Sequence, residues 1–286
     1  RQSPRFLQDQ MMHQGSPTHA VQTSRQDVAA LCEHAPPVHD LKVATAFLTR
    51  IPISHGPVLS MGGVSSWFPI VGAFIGLIAS GVWVVGNTVL APLSASALTI
   101  AVIVLITGAF HHDGLADSMD GLVGGWNPEQ RREILKDSRH GTYGVLALVL
   151  QVAIQVTLLS ELSIAAGVVA LVICQSVGRA AAVWIMKSGH GISEGLGANY
   201  VSEVKVRHIV FATLTCFLLM GSLMGPAAVV VAAVVYLVSR LFALWAIGKI
   251  GGIVGDVLGA TEQVGETVAL LTIVILLHQG VDVPWW

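Results

Sequence analysis

Charge is what this chain has least of. Of its 286 residues only 11% are Asp, Glu, Lys or Arg, against 53% hydrophobic, where a soluble domain carries about 25% charged. Too few charges remain to clothe a water-facing surface, and with a mean hydropathy of +0.72 the chain reads as a membrane protein. The net charge of −2 lacks the basic excess of a nucleic-acid-binding protein, so no nucleic-acid partner is expected. Cysteine is scarce too. Cys32, Cys174 and Cys216 form no CxxC or Cys/His spacing, which excludes a disulfide framework or a zinc site; the last two lie in apolar runs and read as buried thiols. Residues 1–37 hold Gln, Ser, His and Pro but no apolar run. They read as a disordered leader without the apolar core of a secretory signal peptide, ahead of one membrane domain over 38–286.

Long apolar runs, by contrast, are plentiful. A spanning helix needs about 20 mostly apolar residues, and candidates fall at about 66–86, 89–110, 141–160, 163–187, 208–224, 227–248 and 266–280. The expected fold is all-α, a polytopic transmembrane bundle of about seven spans. Residues 41–53 are shorter and half apolar, as in an interfacial or re-entrant segment. Tight turns at Gly86–Asn87, Ser160–Leu162 and Gly225–Pro226 alternate with the polar links 111–140, 188–207 and 249–265. The long links therefore share one side with the N-terminus. They also carry Arg131, Arg132, Lys136, Arg139, Lys187, Lys205, Arg207 and Lys249, while the tight turns and the tail carry no Lys or Arg. The positive-inside rule places the long links in the cytoplasm.

The densest chemistry is FHHDGLADSMDGLVGG, residues 110–125. Asp113, Asp117 and Asp120 stand at i, i+4 and i+7, one face of a helix. Carboxylates stacked this way repel one another, and the mouth of a span raises their desolvation cost. A hard cation relieves both, and Mg²⁺ commonly takes one or two carboxylates plus substrate phosphates. Gly114, Ala116, Gly121, Gly124 and Gly125 let a ligand or helix approach closely. A solvated acidic helix end is the plainer alternative, but it seldom combines in-register carboxylates with so many small residues. KDSRHGTYG (136–144) follows. Lys136 and Arg139 suit phosphate oxygens or, alternatively, lipid headgroups; Gly141 and Gly144 flank the start of the next span.

Arg179 and Arg240 sit inside apolar spans, where an ionisable group is expensive and a functional candidate unless it snorkels. Each is followed five residues later by a tryptophan, Trp184 or Trp245, and then by Lys187 or Lys249. Beyond them GISEGLGA (191–198) resembles GIVGDVLGA (252–260), which suggests a duplicated helix-and-loop unit. Asp256 lies among the glycines of the second loop with Glu262 and Glu266 after it; Glu194 is its counterpart in the first. Asp256 is thus a candidate to complete a metal or substrate site.

HHDGLADSMDG, KDSRHGTYG and GGIVGDVLGATEQVGE, with TRIPI (49–53) and WFPIVGAFIG (67–76), resemble the signature stretches of the cobalamin synthases, or adenosylcobinamide-GDP ribazoletransferases, over roughly residues 41–270. The resemblance implies a Mg²⁺-dependent enzyme of the prokaryotic cytoplasmic membrane with its active site facing the cytoplasm. Its partners would be adenosylcobinamide-GDP and α-ribazole or α-ribazole 5′-phosphate, and it would release GMP to form cobalamin or its 5′-phosphate. On this reading Asp113, Asp117 and Asp120 hold metal. Asp256 is a further ligand or orienter, and His111 accepts the hydroxyl proton. Lys136 and Arg139 bind pyrophosphate beside Gly141 and Gly144, and Arg179 and Arg240 meet substrate phosphates. A homo-oligomer stays open. The CDP-alcohol phosphotransferases offer an analogy only, since their DGxxAR spacing is absent. The rival readings are a prenyltransferase, whose NDxxD motif is missing, and a cation transporter, whose acids would cluster at the midplane.

Overall fold

The computed structural model describes residues 37–58, 60–137, 139–192, 201–281 and 283. Most of the leader, Cys32 and Glu194 therefore lie outside the described residues. Among those described, the named elements are all helices: α1 Pro37–Leu48, α2 Met61–Ser66, α3 Phe68–Val89, α4 Pro92–Thr107, α5 Phe110–Gly124 and α6 Pro128–Lys136, then α7 Thr142–Ser160, α8 Ile164–Ile185, α9 Val206–Met224, α10 Ala227–Ile250 and α11 Gly255–His278. Six of them, α3 and α7 to α11, are long and apolar enough to cross a bilayer. Leu77, Val149, Leu218 and Leu241 stand exposed on their outer faces, a pattern stable only against lipid. The chain is an integral membrane protein. Its α1, at 12 residues, is too short to span.

Two expected boundaries move. The span expected over 89–110 ends at Thr107, where Gly108 (φ 63°) and Ala109 (φ 60°) both take left-handed backbone. Gly108 N–H donates to the Leu105 carbonyl (3.2 Å) and Ala109 N–H to the Val104 carbonyl (2.9 Å), a Schellman closure. After it α5 leaves at 92° to α4. The TRIPI stretch braces the corner: Arg50 N–H donates to the Ile106 carbonyl (2.7 Å), and a Cβ at Gly108 would strike the Arg50 side chain. The acidic segment is thus a helix of its own, turned across the bundle. The last span, expected from 266, begins at Gly255. Glu262, Gln263 and Glu266 make its first half look like a polar link, yet all three are buried because their partners lie on other helices.

The core centres on α8, most of whose length is buried. Glycines let its neighbours close on it. A Cβ at Gly72 or Gly76 of α3, a GxxxG pair, would collide with the backbone at Gln175 or Leu171. On α11, Gly265 packs on Gly178 of α8 and Gly259 on Gly114 of α5: a Cβ added at Gly265 would lie 3.3 Å from the Gly178 Cα, and one at Gly114 3.3 Å from the Gly259 Cα. Helix α11 therefore touches the acidic helix and the core helix at once.

The links sort by end as their alternation requires. Asp120 of α5 reaches the start of α7, and the α8–α9 link bonds to the α10–α11 link: Ile192 N–H to the Ile253 carbonyl (3.2 Å) and Ile253 N–H to the His190 carbonyl (2.9 Å). The described parts of the two similar loops thus pair with each other. At the opposite end Trp83 Nε1 donates to the Ile164 carbonyl (3.1 Å), and Glu161 lies 3.5 Å from His278.

Replacing Gly76 by Leu should force α3 off α8 and lower stability by about 1–3 kcal/mol. Thermal unfolding in detergent followed by size-exclusion chromatography checks this; Gly81→Leu, with open space around its Cβ position, should unfold like the parent.

Candidate metal centre and the polar core behind it

Helix α5 buries most of its length because Gly114, Ala116 and Gly121 admit neighbouring helices. Its carboxylates separate into two roles. Both oxygens of Asp120 accept backbone N–H groups, from Gly141 (2.6 Å) and Gly144 (2.8 Å). A Cβ at either glycine would press on that carboxylate, so glycine is required there by close approach. Asp120 therefore pins the stretch entering α7 to α5. The sequence assigned Asp120 to metal and the two glycines to substrate; the structure gives them this internal contact.

The pinned stretch delivers His140. Its Nδ1 lies 3.5 Å from Asp117 Oδ1 and its Nε2 3.7 Å from Asp113 Oδ1, and donor atoms of the three residues fall within 4.8 Å of one another. Asp117 is buried and Asp113 and His140 are partly open, so the group faces a mouth. Its donor set fits a divalent cation: two carboxylates suit Mg²⁺, and the imidazole adds a donor that suits Mn²⁺ at least as well. His140 stood in plain view within KDSRHGTYG but was passed over for its charged neighbours.

Of those neighbours, Arg139 points elsewhere. Arg139 is 87% exposed and forks onto Asp137, with Nη2–Oδ2 at 2.7 Å; the guanidinium and its own backbone N–H hold Asp137 down at about 2. Lys136 ends α6 in an exposed position. Asp256 is half-buried in the first turn of α11, its backbone against Gly114 of α5, the residue next to Asp113.

Behind this centre lies a buried polar chain. Arg179, 1% exposed, sits 2.8 Å from Glu262 Oε1 and 2.8 Å from Glu266 Oε1, and its Nη1 also donates to the Gln175 carbonyl and side chain. Gln263 Nε2 donates to Glu262 (2.7 Å), and its Oε1 accepts from Gln151 of α7. His111 is buried with Nδ1 3.2 Å from Glu262 Oε2. Arg179 thus belongs with carboxylates of α11, not with the aspartates of α5. Arg240 is half-buried on α10, and among the described residues it has no carboxylate partner.

A family model described as cobalamin-5-phosphate synthase matches residues 40–274. The adenosylcobinamide-GDP ribazoletransferase of Shewanella amazonensis is 36% identical over 251 residues, covering 83% of this chain and 95% of the relative. That of Bradyrhizobium diazoefficiens is 35% identical over 246 residues, 82% and 92%, and that of Ralstonia nicotianae 34% over 244, 80% and 92%. No solved structure is significantly similar.

Two outcomes follow from this geometry. Asp113→Asn or Asp117→Asn should weaken Mn²⁺ binding tenfold or more, read by electron paramagnetic resonance of the purified protein, while Asp120→Asn should chiefly speed trypsin cleavage after Lys136 or Arg139 as the stretch comes loose. Arg179→Ala, which strands buried carboxylates, should lower stability by about 3–5 kcal/mol in thermal unfolding, with Arg179→Lys in between.

Proposed function

The chain belongs to the cobalamin-5-phosphate synthase family, and on that basis we propose that it transfers the adenosylcobinamide-phosphate group of adenosylcobinamide-GDP to α-ribazole or its 5′-phosphate. A hydroxyl of the ribazole attacks the phosphorus that bears the cobinamide, the pyrophosphate bridge to the guanosine phosphate breaks, and GMP leaves. The observation that carries the reading is the match over most of the chain at about 35% identity. The clustered Asp113, Asp117 and His140 agree with it, since phosphoryl transfer is governed by charge neutralisation and alignment. Neither the prenyltransferase nor the cation-transport reading finds support in these matches.

Asp113 and Asp117, with His140 as a third donor, would hold Mg²⁺, which when bound neutralises the pyrophosphate. Lys136, at the rim, would add its charge to the leaving GMP, and Asp256 would orient groups from the α11 side. Arg139 would join Lys136 by giving up its exposed contact with Asp137. His111 Nδ1 lies 3.2 Å from Glu262 Oε2, and its Nε2 would take the proton of the attacking hydroxyl. The centre would face the cytoplasm, where the basic links belong and where nucleotide-activated donors are made.

Purified protein stripped with EDTA should release no GMP from adenosylcobinamide-GDP and α-ribazole, and added Mg²⁺ should restore release. Asp117→Asn should fall by a factor of about 10² or more at saturating metal. His140→Ala should lower activity with Mn²⁺ more than with Mg²⁺. Inside-out membrane vesicles should process added donor, and right-side-out vesicles should not; the reverse result would overturn the orientation.

A further inference from the structure

A cavity of about 450 Å³, its open mouth included, lies between α1, α3, α5, α8 and the start of α11. Its enclosed part is about 50 Å³, room for a few waters, so a larger ligand would extend into the mouth. One wall is aromatic: Phe47 stacks on Phe68 with centroids 5.8 Å apart and meets Phe110 edge-on at 5.2 Å. The polar residues among its lining are His111, Arg179 and Glu262. Arg179 is 1% exposed, yet its Nε and Nη2 have no hydrogen-bond partner among the described residues. Buried N–H groups of this kind are costly unless a ligand meets them.

Charge and shape narrow the ligand. The guanidinium is already flanked by two carboxylates at 2.8 Å, so a phosphate in the cavity would face Glu262 with no net positive charge to hold it. The ligand is therefore uncharged. Aromatic walls select a flat ring, and the spare guanidinium N–H groups select one with an acceptor atom. A guanine would also need acceptors for its amine and imino N–H groups. Glu262 Oε2 accepts from Gln263 and Oε1 lies 2.8 Å from Arg179 Nη1, so this carboxylate is taken up by the protein's own groups, and the rest of the lining is apolar, glycine or His111 apart from Arg179 itself.

Resting on the transferase reading above, we propose that this cavity holds the benzimidazole base of the acceptor nucleoside, with a ring nitrogen toward Arg179 and the rings of Phe47, Phe68 and Phe110 around it. The site couples directly to the chemistry. His111 lines the cavity and lies on α5, the helix that carries Asp113 and Asp117. A base seated there presents its ribose hydroxyls to His111 on the way to the cation centre. The acceptor thus enters by the α1 side of α5, and the nucleotide donor sits on the His140 side.

Ala182→Leu fills the cavity, and Phe47→Ala, on the peripheral α1, removes one ring. Each should raise KM for α-ribazole about tenfold, the worth of one lost stacking contact, and leave KM for adenosylcobinamide-GDP unchanged. Equilibrium dialysis of α-ribazole against protein in detergent, with empty micelles as the blank, should show the same loss; GMP should not compete. A rise in donor KM, competition by GMP, or no change in either variant, as for a cavity filled by lipid chains, would overturn the assignment. If Ala182→Leu fails to fold, Phe47→Ala decides. If the parent protein releases no GMP at all, the transferase reading falls, and the dialysis still settles the cavity: retention by the parent but not by the variants upholds it, and no retention refutes it.

Discussion

A guanidinium between two carboxylates in an apolar bundle sets the terms for the rest of this protein. An arginine inside a bilayer is costly unaided, and Arg179 on α8 meets Glu262 and Glu266 of α11 at 2.8 Å each. Their mutual need fixes the rotation and depth of α11 against α8 more tightly than apolar packing would, because lipid tails offer no hydrophobic gain from helix association. The Gly178–Gly265 contact is what lets the backbones approach closely enough for both pairs to form.

The consequence runs outward to the Asp113–Asp117–His140 cluster. Once α11 is set against α8, its first turns meet α5 through Gly259 and Gly114, so α5 is held from one side by α11. From the other side Asp120 ties it to the stretch that carries His140. Nothing in the centre relies on a long loop finding its own position. Three helices and one carboxylate-to-amide clamp place the donors, the preorganisation that phosphoryl transfer demands.

Much of this was legible in the sequence, and the exceptions have a common cause. Hydropathy located the spans because the bilayer sets their length. The expense of Arg179 inside a span marked it as a residue to account for, but pattern pointed to substrate phosphates, whereas its neighbours are Glu262 and Glu266. What pattern could not supply was the identity of contacts made across the bundle. Asp120 shares a helical face with Asp113 and Asp117, so spacing grouped it with metal ligands; only the arrival of the Gly141 and Gly144 amides from elsewhere reassigns it. Glu262 and Glu266 looked like the end of a loop for the same reason. The bend at Gly108–Ala109 was hidden because apolarity continues up to it, and its brace, Arg50, lies far back in the chain.

The order of the partners along the chain has a bearing on how the protein is made. Arg179 precedes Glu266 by 87 positions, and at a synthesis rate of about 5–20 residues per second helix α8 leaves the ribosome roughly 4–17 seconds before its second counter-charge exists. During that interval the helix must be accepted by the insertion machinery with a naked guanidinium, at about 2.5–3.5 kcal/mol for a central arginine. The leucines, isoleucines, valines and alanines around it, with a hydropathy of 1.9 across the span, are what tide it over. The apolar excess of α8, which looks superfluous in a helix that hardly touches lipid, is a provision for its own biogenesis.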